Sequence, residues 1–455
     1  MTTNRVDLSY RCAPDATALA HIPGERGLPV LGSTLAVLHD LHGFAQRHLR
    51  DYGPVSRIRL LGQGGLLVSG ADLTQRIFQD LQQEFSAEKG YDKQLGAFYP
   101  RGLLLMDFDE HRADRRLMQG AFKVDALQRY VELMRPLVER HVDEWGRAGR
   151  IMFYPRIKRL LLEVGALCFL GIDDFQREAA RINELFLDLN AGLVSLLRME
   201  LPFGAYGRAR RARRELEAWC EAMVARRRAQ ASSGDDTLSR LCRALDEEGR
   251  PYAVRAIVDH TLFLLFAAHD TSTSALTHLA MYLGRDVALR ERLRAHLAEI
   301  GADAPGHAEL VRMDYAGHCL DETLRLHPPV PMAMRRTIRA TELGGYDVPA
   351  HTVLHLPMMI DQRDARWWRD PERFDPERFA PPRQEQRAHP MCFHPFGSGA
   401  HKCIGMHFAQ LLMKLVLHRM ITRLDFEVPP GYAPRLEWVP LPKPADGVAL
   451  VLRRL

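Results

Sequence analysis

A chain of 455 residues, 46% of them apolar and spread evenly, has material for one large core or for two or three ordinary domains. Its 62 Lys plus Arg against 57 Asp plus Glu leave a net charge of +5, too small and too dispersed to argue for a nucleic-acid partner. The seven cysteines are odd in number, scattered and never spaced as CxxC, which speaks against a disulfide framework or a zinc knuckle and for reduced thiols.

Residues 1–21 carry no clear period or apolar signal core and read as an N-terminal extension to a domain over 22–455. From Ile22-Pro23-Gly24 to Gly32 the chain is an extended, Pro/Gly-punctuated lead-in. Between Pro54 and Ser69 the apolar residues and intervening glycines predict a small β-hairpin. Helical periodicity then dominates from Asp72 to Leu245, with breaks near Pro100 to Gly102, at Pro155 and around Pro202 to Gly207. Residues 252–283 contain no Gly or Pro and predict one long helix ending at Gly284, apolar on nearly every side from Leu262 to Ala268 and therefore interior. That apolar run is the longest in the chain and far below the ~20 residues of a membrane span, so a soluble, cytoplasmic protein without a span is expected. A second helix ends at His327-Pro328-Pro329, because the residue before a proline is pushed out of the α region. Short strands follow around Val348 and Val353 to Leu356, then a Pro-rich meander from Asp370 to Pro395, then a last long helix from near Cys403 to about Arg423. The whole reads as a single large domain, mainly α with a minor β part.

The strongest local signal is the run from Phe396 to Gly405, in which a glycine-rich turn delivers Cys403 to a helix start. Exposed N–H groups and the positive end of the helix dipole there favour thiolate over thiol. Taken alone, such a cysteine would be a buried structural thiol. Phe396, Gly399, Cys403 and Gly405, however, occupy all four fixed positions of F-x-x-G-x-x-x-C-x-G, and the segment resembles the haem-binding signature of the cytochrome P450 family. The resemblance spans roughly residues 22 to 450 and implies that fold, haem b as cofactor and Cys403 as the iron ligand. Gly399 and Gly405 would let the backbone lie against the flat macrocycle.

Further landmarks come in the family's order. Glu322-Thr323-Leu324-Arg325 resembles its E-x-x-R, and Arg378 matches the arginine that closes a buried triad, although Glu322 and Arg325 by themselves would suit a solvated surface pair. Ala267-Ala268-His269-Asp270-Thr271-Ser272 is similar to the oxygen-activating segment, which implies that Thr271 hydrogen-bonds dioxygen as it is reduced and that Asp270 relays protons. A helix-bending threonine is the plain alternative, and Ala268, where the family has glycine, is expected to narrow the groove. His111 and Arg115 resemble the family's pair for the haem carboxylates, joined by His401 and Arg335, each of which could also be an ordinary surface cation. Ala267 and Phe396 complete the cofactor positions, and Phe263, Ala267, Met332 and Ala333 are the positions implied to face substrate.

The family resemblance implies a monooxygenase that takes two electrons from separate partners and inserts one oxygen atom into a lipophilic small molecule. No flavin or iron–sulfur motif is seen and no reductase follows residue 455, so ferredoxin with its reductase, or a flavodoxin-type donor, is expected, steered to Lys402, Arg112, Arg116 and Lys123. Leu201-Pro202-Phe203-Gly204 with the arginines from Arg208 to Arg214 looks most like members acting on retinoids and sterols. A peroxide-driven hydroxylase and a non-catalytic haem sensor or carrier are the rivals, and neither has a use for the Asp270-Thr271 pair.

Overall fold

Val254–Arg285 forms one unbroken helix of 32 residues, the element around which the rest is arranged. The computed structural model describes residues 18–174, 177–193, 195, 198–201, 203–230 and 234–455. Of the expected N-terminal extension only its last residues are among these, and Pro202 lies outside them. The central helix runs to Arg285, one residue past its expected end, because Gly284 sits inside the last turn where Val428 packs closely against it. Asp286 then stops it and caps the next helix, Val287–Ile300, by accepting from the Leu289 N–H.

Helices Phe153–Leu170, Ala205–Ala229, Asp314–Leu326 and Met406–Arg423 pack on the central helix, and Val124–Ala148 packs on the first and last of these. They enclose one large apolar cluster that includes Tyr130, Trp145, Phe153, Phe169, Leu262 and Phe408. Pro155 is a helix start: it falls in the first turn of Phe153–Leu170, where a missing N–H costs nothing, directly after a strand, Arg150–Met152. Pro136, by contrast, is absorbed inside Val124–Ala148.

The minor β part is a five-stranded sheet in the order Val55–Leu60, Gln63–Val68, Val353–Leu356, Ala333–Thr337, Phe85–Ser86. The first two strands form the expected antiparallel hairpin, with Val55 opposite Val68, and the second pairs in parallel with Val353–Leu356. Strand Ala333–Thr337 has no strand-like pattern, since Arg335 and Arg336 are its middle residues, yet all five positions are buried. A smaller sheet joins Arg150–Met152, Ala449–Arg454 and Leu424–Glu427. Among the described residues no helix is long and apolar enough to cross a membrane.

Candidate functional site

The loop before the last helix is closed on itself by backbone. The Cys403 N–H donates to the Phe396 carbonyl at 2.8 Å, and Gly397 and Gly399 turn the chain through left-handed conformations at φ 68° and 64°. Gly399 is glycine for a reason other than a nearby macrocycle: a Cβ there would stand 1.9 Å from the Phe78 carbonyl oxygen. Gly405 has no such constraint, its nearest would-be neighbour being Phe122 at 3.9 Å, so protein packing leaves the space beside it open.

Cys403 stands just before the helix Met406–Arg423, whose N-cap is Gly405. It keeps accessible surface, whereas the other described cysteines are buried. Burial pushes its thiol up, against the Gly405 N–H, Arg115 and Lys402, which favour the anion.

Around this loop lies a set of donors short of acceptors. His111 is buried with neither ring nitrogen hydrogen-bonded, its ring 4.1 Å from that of His401. Burial, with His401 and Arg115 beside it, lowers its pKa to about 3. Arg335 is buried, donates to the Met334 carbonyl and lies over Phe78, while His401 is 3.7 Å from Asp107. Asp107 also accepts from Ser86 and from the Ala87 N–H, which anchors the helix Ala87–Tyr91 beside Arg335. Four cationic or donor side chains, His111, Arg115, Arg335 and His401, thus gather near a thiol. A flat group carrying two carboxylates and a thiolate-seeking metal matches that donor set, so the residues present fit haem b.

The central helix supplies another wall. Phe263, Phe266, Ala267, Asp270 and Thr271 are half-buried, whereas Leu262, Leu264, Leu265, His269 and Ser272 between them are buried. Spacings of three, four, seven and eight put the half-buried set on one helix face, an accessible stripe within an otherwise enclosed helix. Tyr99 stacks behind Phe266 at 4.6 Å. Ala268 is half-buried as well and lines a hollow with Leu161, Gly165 and Phe186.

The Thr271 hydroxyl donates to the Ala267 carbonyl at 2.9 Å, the bond a helix-bending threonine makes, and retains lone pairs as an acceptor. Asp270 is less solitary than its sequence neighbours imply. Lys158 Nζ lies 2.8 Å from its Oδ1 and His269 Nε2 lies 3.4 Å from its Oδ2. Burial would push Asp270 up, but His269 and Lys158 outweigh it and hold the carboxyl well below the usual carboxylate range. Nothing local in the sequence marks Lys158, which arrives from the helix Phe153–Leu170.

Glu322, Arg325 and Arg378 meet at zero exposure. Arg325 forks onto Glu322 at 2.7 and 2.9 Å, and Arg378 Nε donates to Glu322 Oε1 at 3.0 Å. The network is wider than three residues, because Glu385 accepts from Arg378 at 2.7 Å and both guanidinium groups lie over Trp368. Met332 and Ala333 lead into the β part: Ala333 is buried in the sheet's own core opposite Leu356, and Met332 packs at the edge of a neighbouring apolar cluster. Arg112 and Arg116 are exposed but paired with Asp109 and Glu247, while Lys123 and Lys402 are exposed.

Three comparisons bear on this site. A family model described as Cytochrome P450 matches residues 22–444. The sequence named cytochrome P450 136 in Mycobacterium tuberculosis is 36% identical over 97% of this chain and 90% of its own length. That named cytochrome P450 120 in Synechocystis is 32% identical over 95% of this chain and 97% of its own. A solved structure, retinoic acid bound cyanobacterial CYP120A1, superposes with a TM-score of 0.87 at 32% identity, covering 95% of this chain and 99% of that one.

Proposed function

The chain belongs to the cytochrome P450 family of haem b monooxygenases, and from that premise we propose that it hydroxylates or epoxidises a lipophilic substrate using electrons from separate redox partners. The haem supplies, when bound, the iron chemistry that reduces dioxygen and inserts one atom into substrate. Cys403 would hold the iron, His111, Arg115, Arg335 and His401 its carboxylates, and Phe396 and Ala267 would pack against it. Phe263, Phe266 and Ala267 give the substrate an apolar wall, which suits an elongated molecule of the retinoid kind found in the structural relative.

The observation that carries the reading is the acid and alcohol, Asp270 and Thr271, half-buried together on one face of a largely enclosed helix. A polar pair there costs stability that an apolar pair would not, and neither a peroxide-driven hydroxylase nor a haem carrier needs it. Thr271→Ala should still bind haem and substrate, since neither requires the hydroxyl. Product formed per NADPH should fall about tenfold, the factor set by one hydrogen bond of about 1.4 kcal/mol, with hydrogen peroxide making up the difference. Unchanged coupling would assign the hydroxyl to its Ala267 bond alone and withdraw the reading of this segment.

Electron delivery is the second half of the proposal. With Arg112 and Arg116 already holding carboxylates, Lys123 and Lys402 are the cations left to attract an acidic ferredoxin or flavodoxin to the Cys403 side. Lys402→Glu should slow reduction and flatten its decline with rising salt. A salt dependence equal to that of the unaltered chain would place the partner elsewhere.

A further inference from the structure

Resting on the oxidation proposed above, we propose that its substrate is an elongated lipophilic molecule ending in one neutral oxygen, a carbonyl or a hydroxyl, held by Arg213 and Asn190 at the end of the central-helix stripe remote from Thr271. Spacings of four, three and four put Asp259, Phe263, Phe266 and Asp270 on one face of that helix. Twelve residues separate Asp259 from Thr271, which is about 18 Å at 1.5 Å per residue. Aromatic rings wall the stretch between them. Tyr99 stacks on Phe266 at 4.6 Å and meets Phe263 edge-on at 6.1 Å.

Polar groups close the far end. The Tyr99 hydroxyl donates to Asn190 Oδ1 at 2.9 Å. Arg213, only 3% exposed, pairs with the wholly buried Asp259, and its Nε donates to Glu217 Oε1 at 2.8 Å. Arg255 completes a ring, donating to Glu217 Oε1 at 2.7 Å and to Asp259 Oδ2 at 3.0 Å. Burial pushes the Tyr99 phenol far up, while the charge of Arg213 pulls it down and that of Asp270 pushes it up again. The Tyr99 ring thus lies within electrostatic reach of both ends of the stripe.

Two donors at this end lack an acceptor. Among the described residues Arg213 Nη1 and Asn190 Nδ2 are buried and make no hydrogen bond. A guanidinium can only donate, and an unpaired buried donor is costly, so an oxygen that reaches it is bound well. Two arginines and two carboxylates leave the ring without net charge. A substrate carboxylate would therefore stand beside Asp259 and Glu217 with no cation left to balance it, whereas a carbonyl or hydroxyl oxygen accepts the N–H groups and brings no charge. Retinoic acid, bound in the structural relative, carries the charge that this end does not balance. The carbon oxidised, at the Thr271 end, is then remote from the oxygen the substrate already has.

Spin-shift titrations of the haem-loaded full chain test this with four probes of one chain length: dodecane, dodecan-2-one, dodecan-1-ol and dodecanoate. The ketone and the alcohol should bind about tenfold more tightly than dodecane, the factor for one net hydrogen bond, and dodecanoate no more tightly than dodecane. Asn190→Leu leaves the charge ring intact and should remove most of that advantage without altering the affinity for dodecane. Since Arg213→Met would strand two carboxylates, the second variant is Arg213→Lys, which keeps the charge but not the fork and should erase the same preference. NADPH-driven turnover of dodecan-2-one should place the new hydroxyl in the half of the chain remote from the ketone. Equal affinities for the four probes, tightest binding of dodecanoate, or variants that weaken all four alike overturn the proposal. So does the absence of a spin shift with every probe when the thiolate-type carbon monoxide band is intact. Absence of that band in the unaltered chain would instead overturn the monooxygenase reading, and calorimetric titration with the same probes would still decide the role of Arg213 and Asn190.

Discussion

Cys403→Ser should abolish the red-shifted Soret band of the reduced carbon monoxide complex and all NADPH-driven product formation. The surroundings of Cys403 explain why the loss should be complete. Burial pushes even the thiol away from its anion, with only the Gly405 N–H, Arg115 and Lys402 working the other way. A serine hydroxyl ionises several units higher still, so the same site cannot stabilise an alkoxide, and the electron donation that thiolate gives the iron is lost. Gly405 and the Phe396–Cys403 backbone bond are untouched by the change. The variant should therefore fold and retain haem to a measurable degree, its reduced carbon monoxide band moving to the short-wavelength position of neutral ligands. A thiolate-type band in the serine variant would mean that another cysteine holds the iron. The other described cysteines are all buried, and those at 168, 220 and 319 are pushed up strongly by that burial.

What could be read in the sequence follows from how far apart interacting residues lie along the chain. Phe396 to Gly405, Glu322 with Arg325, and Asp270 with Thr271 are short, fixed spacings, and each carries its geometry with it. The long central helix was legible because nothing in residues 252–283 can break it, and its end was misplaced because a glycine tight against Val428 looks in sequence like a stop signal. Arg335 sits on a strand whose sequence hides it, since burial on both faces removes the alternation that marks a half-exposed strand. Lys158, Asp107 and Glu385 were invisible for a different reason: each meets its partner only through tertiary packing, and a lone charge on an amphipathic helix or loop has no local signature. Gly399 shows that a correct position can have a cause other than the expected one, here the Phe78 carbonyl.

The second large effect should come from Glu322→Ala, which ought to leave little or no haem-loaded protein. Glu322 accepts from Arg325, from Arg378 and from the Asp375 N–H, so its removal takes a carboxylate from two guanidinium groups at zero exposure and an acceptor from a half-buried backbone donor. Breaking a buried pair in this way costs about 3 to 5 kcal/mol, a large part of the roughly 5 to 15 kcal/mol that holds a domain folded. The two arginines are not equally exposed to the loss. Arg378 keeps Glu385 at 2.7 Å and three backbone carbonyls, whereas among the described residues Arg325 pairs with no other carboxylate and keeps only the carbonyls of Gln362 and Arg373. Glu385→Ala should accordingly be milder, because Glu385 is partly exposed and Arg378 would still hold Glu322. Glu322→Gln should fall between the two, as the amide oxygen can accept from one arginine but brings no charge. Chemical denaturation followed by haem absorbance orders the three variants. A Glu322→Ala protein as stable and as haem-loaded as Glu385→Ala would show that the cluster holds the meander from Asp370 to Pro395 by Trp368 stacking and backbone contacts rather than by its charges.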